Sequence, residues 1–387
     1  MSVPFIVNTA FGPEAVVARE VQGLGYGPTT VSDGKIEFAA ELTAVPRLNL
    51  FLRAADRVRI RVARFMALDF GELFDQTFEI PWEEWIGARD AVPVTGKSIK
   101  SQLHSIPDCQ RIVKKAIVER LFKSHGVTTL PEDEATCPVE VAIHKDEVTL
   151  SLDTSGSGLN KRGYRKGIGP APLRETLAGG MMVLSYWNRD RPFHDPFCGS
   201  GTIAIEAAMI GRNIAPGLNR EFAAERWPRI PVSAWREARE EAKSLILPEG
   251  FERPFIASDI DRRALGLARQ HAELAGVAND IHIQQLDATE IKTSRKYGCI
   301  ITNPPYGERM GEDRDIEGLY RMFGRAIADW ETWSIYVLTT HPTLERLWNR
   351  PATRRRKLFN AQLPCTYYQF VGPRPPRPTE EGVSSKE

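Results

Sequence analysis

The sequence predicts an α/β protein whose second half is a doubly wound, mostly parallel sheet, preceded by smaller α+β units. Three observations carry this. Phe193 to Ala204 reads as strand, glycine turn and helix, with Gly199, Gly201 and Ala204 at the G-x-G-x-x-G/A spacing. A second apolar strand, Cys299-Ile300-Ile301-Thr302, runs into Asn303-Pro304-Pro305-Tyr306, so both motifs end at one sheet edge, where such folds bind ligands. Finally, three strands in succession end on a carboxylate: Asp195, Asp259 and Asp287.

Length and composition narrow the field. A chain of 387 residues suggests two or three domains, and 42% hydrophobic with 26% charged residues describes an ordinary globular protein. No segment has the apolar length to span a bilayer, and the first residues lack a signal peptide's layout. Five widely spaced cysteines without a C-x-x-C pair argue against a disulfide framework or zinc site, so a reducing cytoplasm and no metal are expected. The net charge of +1 leaves nucleic-acid binding to local clusters.

In the N-terminal region, Pro4 to Val7 and Lys35 to Phe38 read as strands and Glu14 to Leu24 as a helix. Thr43 to Phe51 looks helical, and Arg57 to Ala63 alternates as a half-exposed strand. A second unit follows. Phe70 to Ile80 and Trp82 to Trp85 are helical or loop pieces, and Ala91 to Val94 is a strand. Pro107-Asp108 opens a helix with Ile112, Val113, Ala116, Ile117 and Leu121 on one face. Val139 to Ile143 and Val148 to Leu152 form a hairpin. Lys97, Lys100, Arg111, Lys114 and Lys115 make a cluster where a polyanion could dock, though a solvated helix face fits as well.

Thr154-Ser155-Gly156-Ser157-Gly158 is flexible by composition and marks a domain boundary. Beyond it, Lys161-Arg162-Gly163-Tyr164-Arg165-Lys166 gathers four cations around a tyrosine, which suits phosphate contact beside a stacking ring. Leu173 to Trp187 is a helix leading to the glycine turn. Arg212 to Arg253 is an insertion containing a charged helix, Trp235 to Leu247. Phe255 to Asp259 and Ile281 to Gln285 are the next strands, with the helix Arg262 to Ala275 between them. Asp259 lies much further from the glycines than the roughly 20 residues of a nicotinamide site, whereas the acidic strand ends suit a charged amino acid joined to a nucleoside. Leu319 to Trp330 is a helix, and Ser334 to Thr340 and Thr366 to Val371 are strands. Arg354-Arg355-Arg356-Lys357 is a basic run, and the proline-rich tail is expected to be disordered.

Asp195-Pro196-Phe197-Cys198-Gly199-Ser200-Gly201-Thr202 together with Asn303-Pro304-Pro305-Tyr306 resembles the class I S-adenosylmethionine (SAM)-dependent amino-methyltransferases. The preceding segment, with Lys97 to Lys115 and Arg162-Gly163-Tyr164-Arg165, is similar to THUMP-containing RNA guanine-N2 methyltransferases. Ala215-Pro216-Gly217-Leu218 to Trp227 resembles an insertion of the bacterial large-subunit rRNA branch. The resemblance covers almost the whole chain.

It implies a Rossmann-like methyltransferase domain over 160–372 with a seven-stranded, mostly parallel sheet. A ferredoxin-like piece (1–65) and a THUMP RNA-binding domain (66–155) would precede it, and a disordered tail (373–387) would follow. Asp195, Pro196, Phe197, Cys198, Gly199, Gly201 and Thr202 would hold the methionine part of SAM, Asp259 and Ile260 the ribose region, and Asp287 and Ala288 the adenine. Asn303, Pro304, Pro305 and Tyr306 would receive the target base. RNA would be gripped by Lys97, Lys100, Arg111, Lys114, Lys115, Arg162, Tyr164 and Arg165. The implied reaction is methyl transfer to a guanine N2 amine, in large-subunit rRNA or else tRNA. A non-catalytic RNA-binding factor and a DNA adenine methyltransferase are the rival readings. Larger relatives fuse a second methyltransferase domain after this one, so a chain ending here is expected to install a single modification.

Overall fold

The computed structural model describes residues 2–165, 173–251, 254–307 and 313–376. Lys166 of the basic loop and residues 377–387 of the expected tail lie outside the described residues. The chain forms two compact units. One comprises residues 1–165, 174–180 and 212–248, the other 166–173, 181–211 and 249–387.

In the first unit, β1 (Ser2–Asn8), β2 (Thr30–Ser32), β3 (Lys35–Glu41), β4 (Arg57–Met66), β5 (Val94–Ile99), β6 (Val139–His144) and β7 (Glu147–Asp153) form a single sheet, ordered β2-β3-β1-β4-β7-β6-β5. β4 is the seam. It pairs antiparallel with β1 (Val7 opposite Val58) and with β7 (Ile60 opposite Leu152). Its period-2 pattern sends Val58 and Ile60 into the core with Phe5 and Val7. The strand runs three residues beyond the expected end, across the 65/66 border. β2 escaped the sequence reading because all three of its residues are exposed and carry no apolar pattern.

The helices α1 (Glu14–Gly23), α2 (Ala44–Phe51), α3 (Phe70–Phe78) and α4 (Ile106–His125) complete these modules. α4 starts with Pro107 in its first turn and stops at Gly126, which adopts φ +66°. It buries Val113, Ala116, Ile117 and Leu121, as its spacing predicts. The strand expected over Ala91 to Val94 instead begins at Val94. Before it, Ala91 makes only an isolated bridge to Thr136, and Pro93 has no N–H to give a ladder.

Thr154 to Gly158 does not behave as its composition suggests. Thr154 and Ser155 are fully buried, and Thr154 Oγ1 donates to the Val58 carbonyl at 2.7 Å. Ser155 Oγ donates to Asn49 Oδ1 at 2.7 Å, so the start of the segment is held in place by its neighbours rather than free.

α5 (Glu175–Leu184) has residues in both units, and α6 (Thr202–Gly211) follows the glycine turn. The insertion contains α7 (Val232–Ser244), which buries Trp235, Ala238 and Ala242. It belongs to the first unit: Arg47 of α2 makes a two-pronged contact with Glu241 of α7, both at 2.8 Å. Trp227 donates its indole N–H to the Thr136 carbonyl at 2.9 Å. Gly217 passes so close to α2 that a Cβ there would sit 2.6 Å from the Asn49 carbonyl oxygen.

The second unit carries β8 (Phe193–Asp195), β9 (Phe255–Asp259), β10 (Ile281–Gln285), β11 (Cys299–Thr302), β12 (Ser334–Thr339), β13 (Arg354–Asn360) and β14 (Leu363–Phe370). Their order is β10-β9-β8-β11-β12-β14-β13, parallel except for the antiparallel β14 pairings. α8 (Arg262–Leu274) and α9 (Asp313–Ala326) pack beside the sheet, and the short α10 (Leu344–Trp348) precedes β13. Ile300, Ile335, Val337, Tyr320, Phe323, Tyr368 and Phe370 fill one core cluster. β13 is the strand missing from the sequence reading, because its first four residues are the basic run. Charge on an outer strand is how sheets discourage unwanted pairing.

Candidate active site

The strand order reverses between β8 and β11. From β8 the chain crosses through α6 to β9 on one side, while β11 lies on the other. Such a switch point opens a crevice at the strands' carboxyl ends, and both sequence motifs end there.

Asp195 and Thr302 join the two sides. Thr302 Oγ1 donates to Asp195 Oδ1 at 2.6 Å, with the Phe197 N–H a second donor at 3.3 Å. Asp195 Oδ2 is buried and has no hydrogen-bond partner among the described residues. Burial pushes the carboxyl up to about 7, against the pull of the Thr302 bond. A buried acceptor oxygen without a donor is costly unless a ligand supplies one. Sequence reasoning missed Thr302; its only sign was a hydroxyl closing an apolar strand.

The glycine turn is held from β9. Gly199, at φ +51°, donates its N–H to Asp259 Oδ2 at 2.8 Å, and the Asp261 N–H reaches Oδ1 at 3.0 Å. A side chain at Gly199 would project into open space. Gly201, at φ +86°, faces Ala268 of α8, with 3.1 Å between its built Cβ and that of Ala268. The spacing assigns ligand approach to both glycines and close packing to Ala204; in the structure Gly199 has open space beside it, whereas Gly201 is packed against α8.

Pro196, Cys198 and Thr202 are buried, and burial raises the Cys198 thiol well above its ordinary value. Phe197 packs edge-on against Phe323 at 5.2 Å. Ile260 is 67% exposed, a bare apolar side chain beside the Asp259 carboxylate. Asp287 Oδ1 accepts from Thr289 N and Oγ1, both at 2.8 Å, and Ala288 is buried. The donor that Asp195 lacks matches an ammonium group, the open side of Gly199 leaves room for backbone approach, and Ile260 offers a wall for a flat base. These features fit the SAM implied by the sequence.

Asn303 is half-buried, Pro304 buried and Pro305 exposed. The Tyr306 hydroxyl donates to Asn303 Oδ1, which fixes the amide's orientation. Tyr320 braces the loop from α9: its hydroxyl donates to the Pro305 carbonyl at 2.9 Å and bonds Thr339 Oγ1 at 2.8 Å. Cys365 Sγ lies 3.7 Å from the Tyr306 hydroxyl. The apolar spacing around Tyr320 reads as plain helix, and nothing in it points to this brace.

The expected RNA-binding residues fare differently. Arg162 and Tyr164 are each 3% exposed, and Arg162 donates to the carbonyls of Leu159 and Arg53. Arg165 pairs with the buried Glu175 at 3.0 Å. Arg162 and Tyr164 are thus part of the fold's interior and Arg165 is tied to it, so among the described residues these three do not present the expected phosphate-and-ring surface. The remaining cations are on the surface, but most are paired: Lys97 with Glu140, Arg111 with Asp108, Lys114 with Glu132 and Lys115 with Glu119. Lys100 has no carboxylate partner among the described residues.

Among the described residues no cluster of potential metal ligands occurs, and no helix is long and apolar enough to cross a membrane.

Comparison with known proteins agrees with this geometry. Residues 162–369 match the RMKL-like methyltransferase domain, 4–59 the RlmL ferredoxin-like domain and 67–153 the THUMP domain. The chain is 46% identical over 369 residues to "Putative RNA methyltransferase YpsC" of Bacillus subtilis (strain 168), covering 94% of this chain and 95% of that one. It is 31% identical over 384 residues to "Ribosomal RNA large subunit methyltransferase K/L" of Methylococcus capsulatus, covering 96% of this chain but 51% of that protein. The chain therefore spans about half the length of such K/L relatives. Among solved structures, "SMU.472, a putative methyltransferase complexed with SAH" superposes with a TM-score of 0.91 at 37% identity, over 97% of this chain and 99% of that one. A Listeria monocytogenes protein named "predicted N6-adenine-specific DNA methylase" superposes at 0.90 with 45% identity, over 96% and 97%. With three family domains in order along its length and a crevice at the switch point of its second sheet, the chain belongs to the RlmL/YpsC-like family of THUMP-containing, SAM-dependent RNA methyltransferases.

Proposed function

We propose that the chain transfers a methyl group to the exocyclic N2 amine of a guanosine in large-subunit rRNA. The observation that carries this is the Thr302–Asp195 hydrogen bond at 2.6 Å, which fastens the carboxylate that would hold the cofactor's ammonium group to the strand that presents Asn303. SAM supplies a methyl group on a sulfonium, so the displacement needs alignment more than a strong base.

Asp195 takes the ammonium group, Gly199 admits the methionine part, and Asp259 accepts from the ribose hydroxyls. Ile260 packs on the adenine, beside Asp287 and Ala288. A guanine amine has its lone pair delocalised into the ring. Asn303 Oδ1 and the Pro304 carbonyl each accept one of its N–H bonds, drawing the nitrogen toward a nucleophilic shape and stabilising the charge it gains. Asn303 can take this second bond because a carbonyl oxygen has two lone pairs, one already used by Tyr306. The Tyr306 ring stacks on the flipped base, and Pro305 stiffens the loop. The rRNA target draws support from the names of the K/L relatives, and the THUMP match weighs against the DNA adenine reading suggested by the Listeria protein's name.

The test is methyl transfer from labelled SAM to unmodified large-subunit rRNA, with the product nucleoside identified by mass. N2-methylguanosine is expected. Asn303→Ala should lower kcat by about 100-fold or more while S-adenosylhomocysteine (SAH) affinity changes little. Methylated adenine, or equal loss of catalysis and SAH binding, would overturn the assignment.

A further inference from the structure

The basic run Arg354-Arg355-Arg356-Lys357 has no part in the chemistry above. It occupies β13, the outer strand of the second sheet, whose far side pairs with no other strand among the described residues. Its position follows from register. β14 is antiparallel to β12, with Thr366 opposite Thr339, so β14 begins where β12 ends, at the carboxyl edge that holds the crevice. Lys357 lies opposite Thr366, and Leu358 opposite Cys365. Cys365 touches Tyr306, and Thr339 bonds the Tyr320 that braces Pro305. The run therefore ends one strand away from the residues that hold the catalytic loop.

Charge separates this strand from the other basic clusters. Arg355 is neutralised by Glu345, and Arg356 is half-buried. Arg354 and Lys357 are exposed on opposite faces of β13, and among the described residues no carboxylate pairs with either, though Lys357 Nζ lies 5.2 Å from the Phe359 ring centre. Of the other cluster, Lys97, Arg111, Lys114 and Lys115 each already face an acid, and Lys100 is left without one among the described residues. Uncompensated cations are the ones that a polyanion can neutralise with release of its counterions.

We propose that β13 is an RNA-docking strand, with Arg354 and Lys357 gripping the phosphate backbone that flanks the nucleotide presented to Asn303. This rests on the reading that the substrate is RNA. The occupant is a single-stranded stretch of RNA, whose target base can enter the crevice without first breaking a pair.

The test uses the full chain, a short single-stranded RNA of mixed sequence, and two double variants: R354A/K357A and the charge-keeping R354K/K357R. The alanine pair should weaken RNA binding roughly tenfold and flatten the slope of log affinity against log salt by about 1.4, the share of two phosphate contacts. It should raise KM for rRNA while kcat and SAH affinity stay unchanged, and R354K/K357R should bind like the parent. Unchanged affinity and slope would overturn the proposal. So would an alanine pair that self-associates yet binds RNA normally, since the charges would then only guard the edge, or a charge-keeping pair as weak as the alanine one. If the parent binds RNA through these cations but methylates no guanine, the functional reading fails alone. If it methylates guanine and the alanine pair is indifferent, only the docking strand fails.

Discussion

Asp195 has two unequal oxygens: one is held by Thr302 and the Phe197 N–H, the other is buried without a donor. Its carboxyl ionises near 3.8 when unfolded but only at about 7 when folded. The folded chain thus binds more protons between these values, and this group's contribution to stability falls as pH rises through the window, then levels above it. An ammonium ligand prefers the carboxylate. SAH should therefore bind with release of a proton below about pH 7, and its affinity should climb up to that pH and then flatten. Calorimetry in buffers of different ionisation heat would read the proton directly, and Asp195→Asn should remove both the release and the pH dependence. At this scale the sequence was legible where a residue's place follows from a strand end: Asp195 and Asp259 close β8 and β9, and Asn303 follows β11, as read. It was opaque for Thr302 and Tyr320, whose partners are brought near only by strand pairing and helix packing. Arg162 and Tyr164 misled, because a basic loop with one ring reads the same whether it faces water or the interior.

Among the elements, the glycine turn separates strain from ligand contact. Gly201→Ala would force a side chain against Ala268 and Ile205 at φ +86°, and should destabilise the fold by about 1–3 kcal/mol in urea unfolding. Gly199→Ala meets nothing, so it should cost only about 1 kcal/mol from its left-handed backbone. Yet it should lose more SAH affinity than its stability change explains, because its methyl group projects into the crevice. A Gly199→Ala variant that binds SAH normally would place the methionine part elsewhere. Strands with a buried, apolar pattern, such as β11 and β12, could be read directly from sequence. The short β2 and the basic β13 could not, since exposed and edge strands carry no such pattern.

At the scale of the whole molecule, the insertion between α6 and β9 is adjacent in sequence to the methyltransferase sheet but packs with the N-terminal modules. Trp227 is its anchor, 2% exposed and bonded to Thr136. Trp227→Ala should destabilise the first unit by about 3–5 kcal/mol, the usual cost of emptying a large aromatic site. SAH affinity, measured below the unfolding transition, should be preserved; its loss would tie the insertion to the crevice. Sequence order could not show this allegiance, because a detour between two strands of one sheet is free to pack anywhere.

The shared strand β4 has a consequence of its own. Because β1 zips onto one flank of β4 and β7 onto the other, the ferredoxin-like and THUMP modules cannot be shuffled as separate beads. A truncation at the 65/66 border would leave β7 with a naked flank, open to any passing strand and prone to clumping.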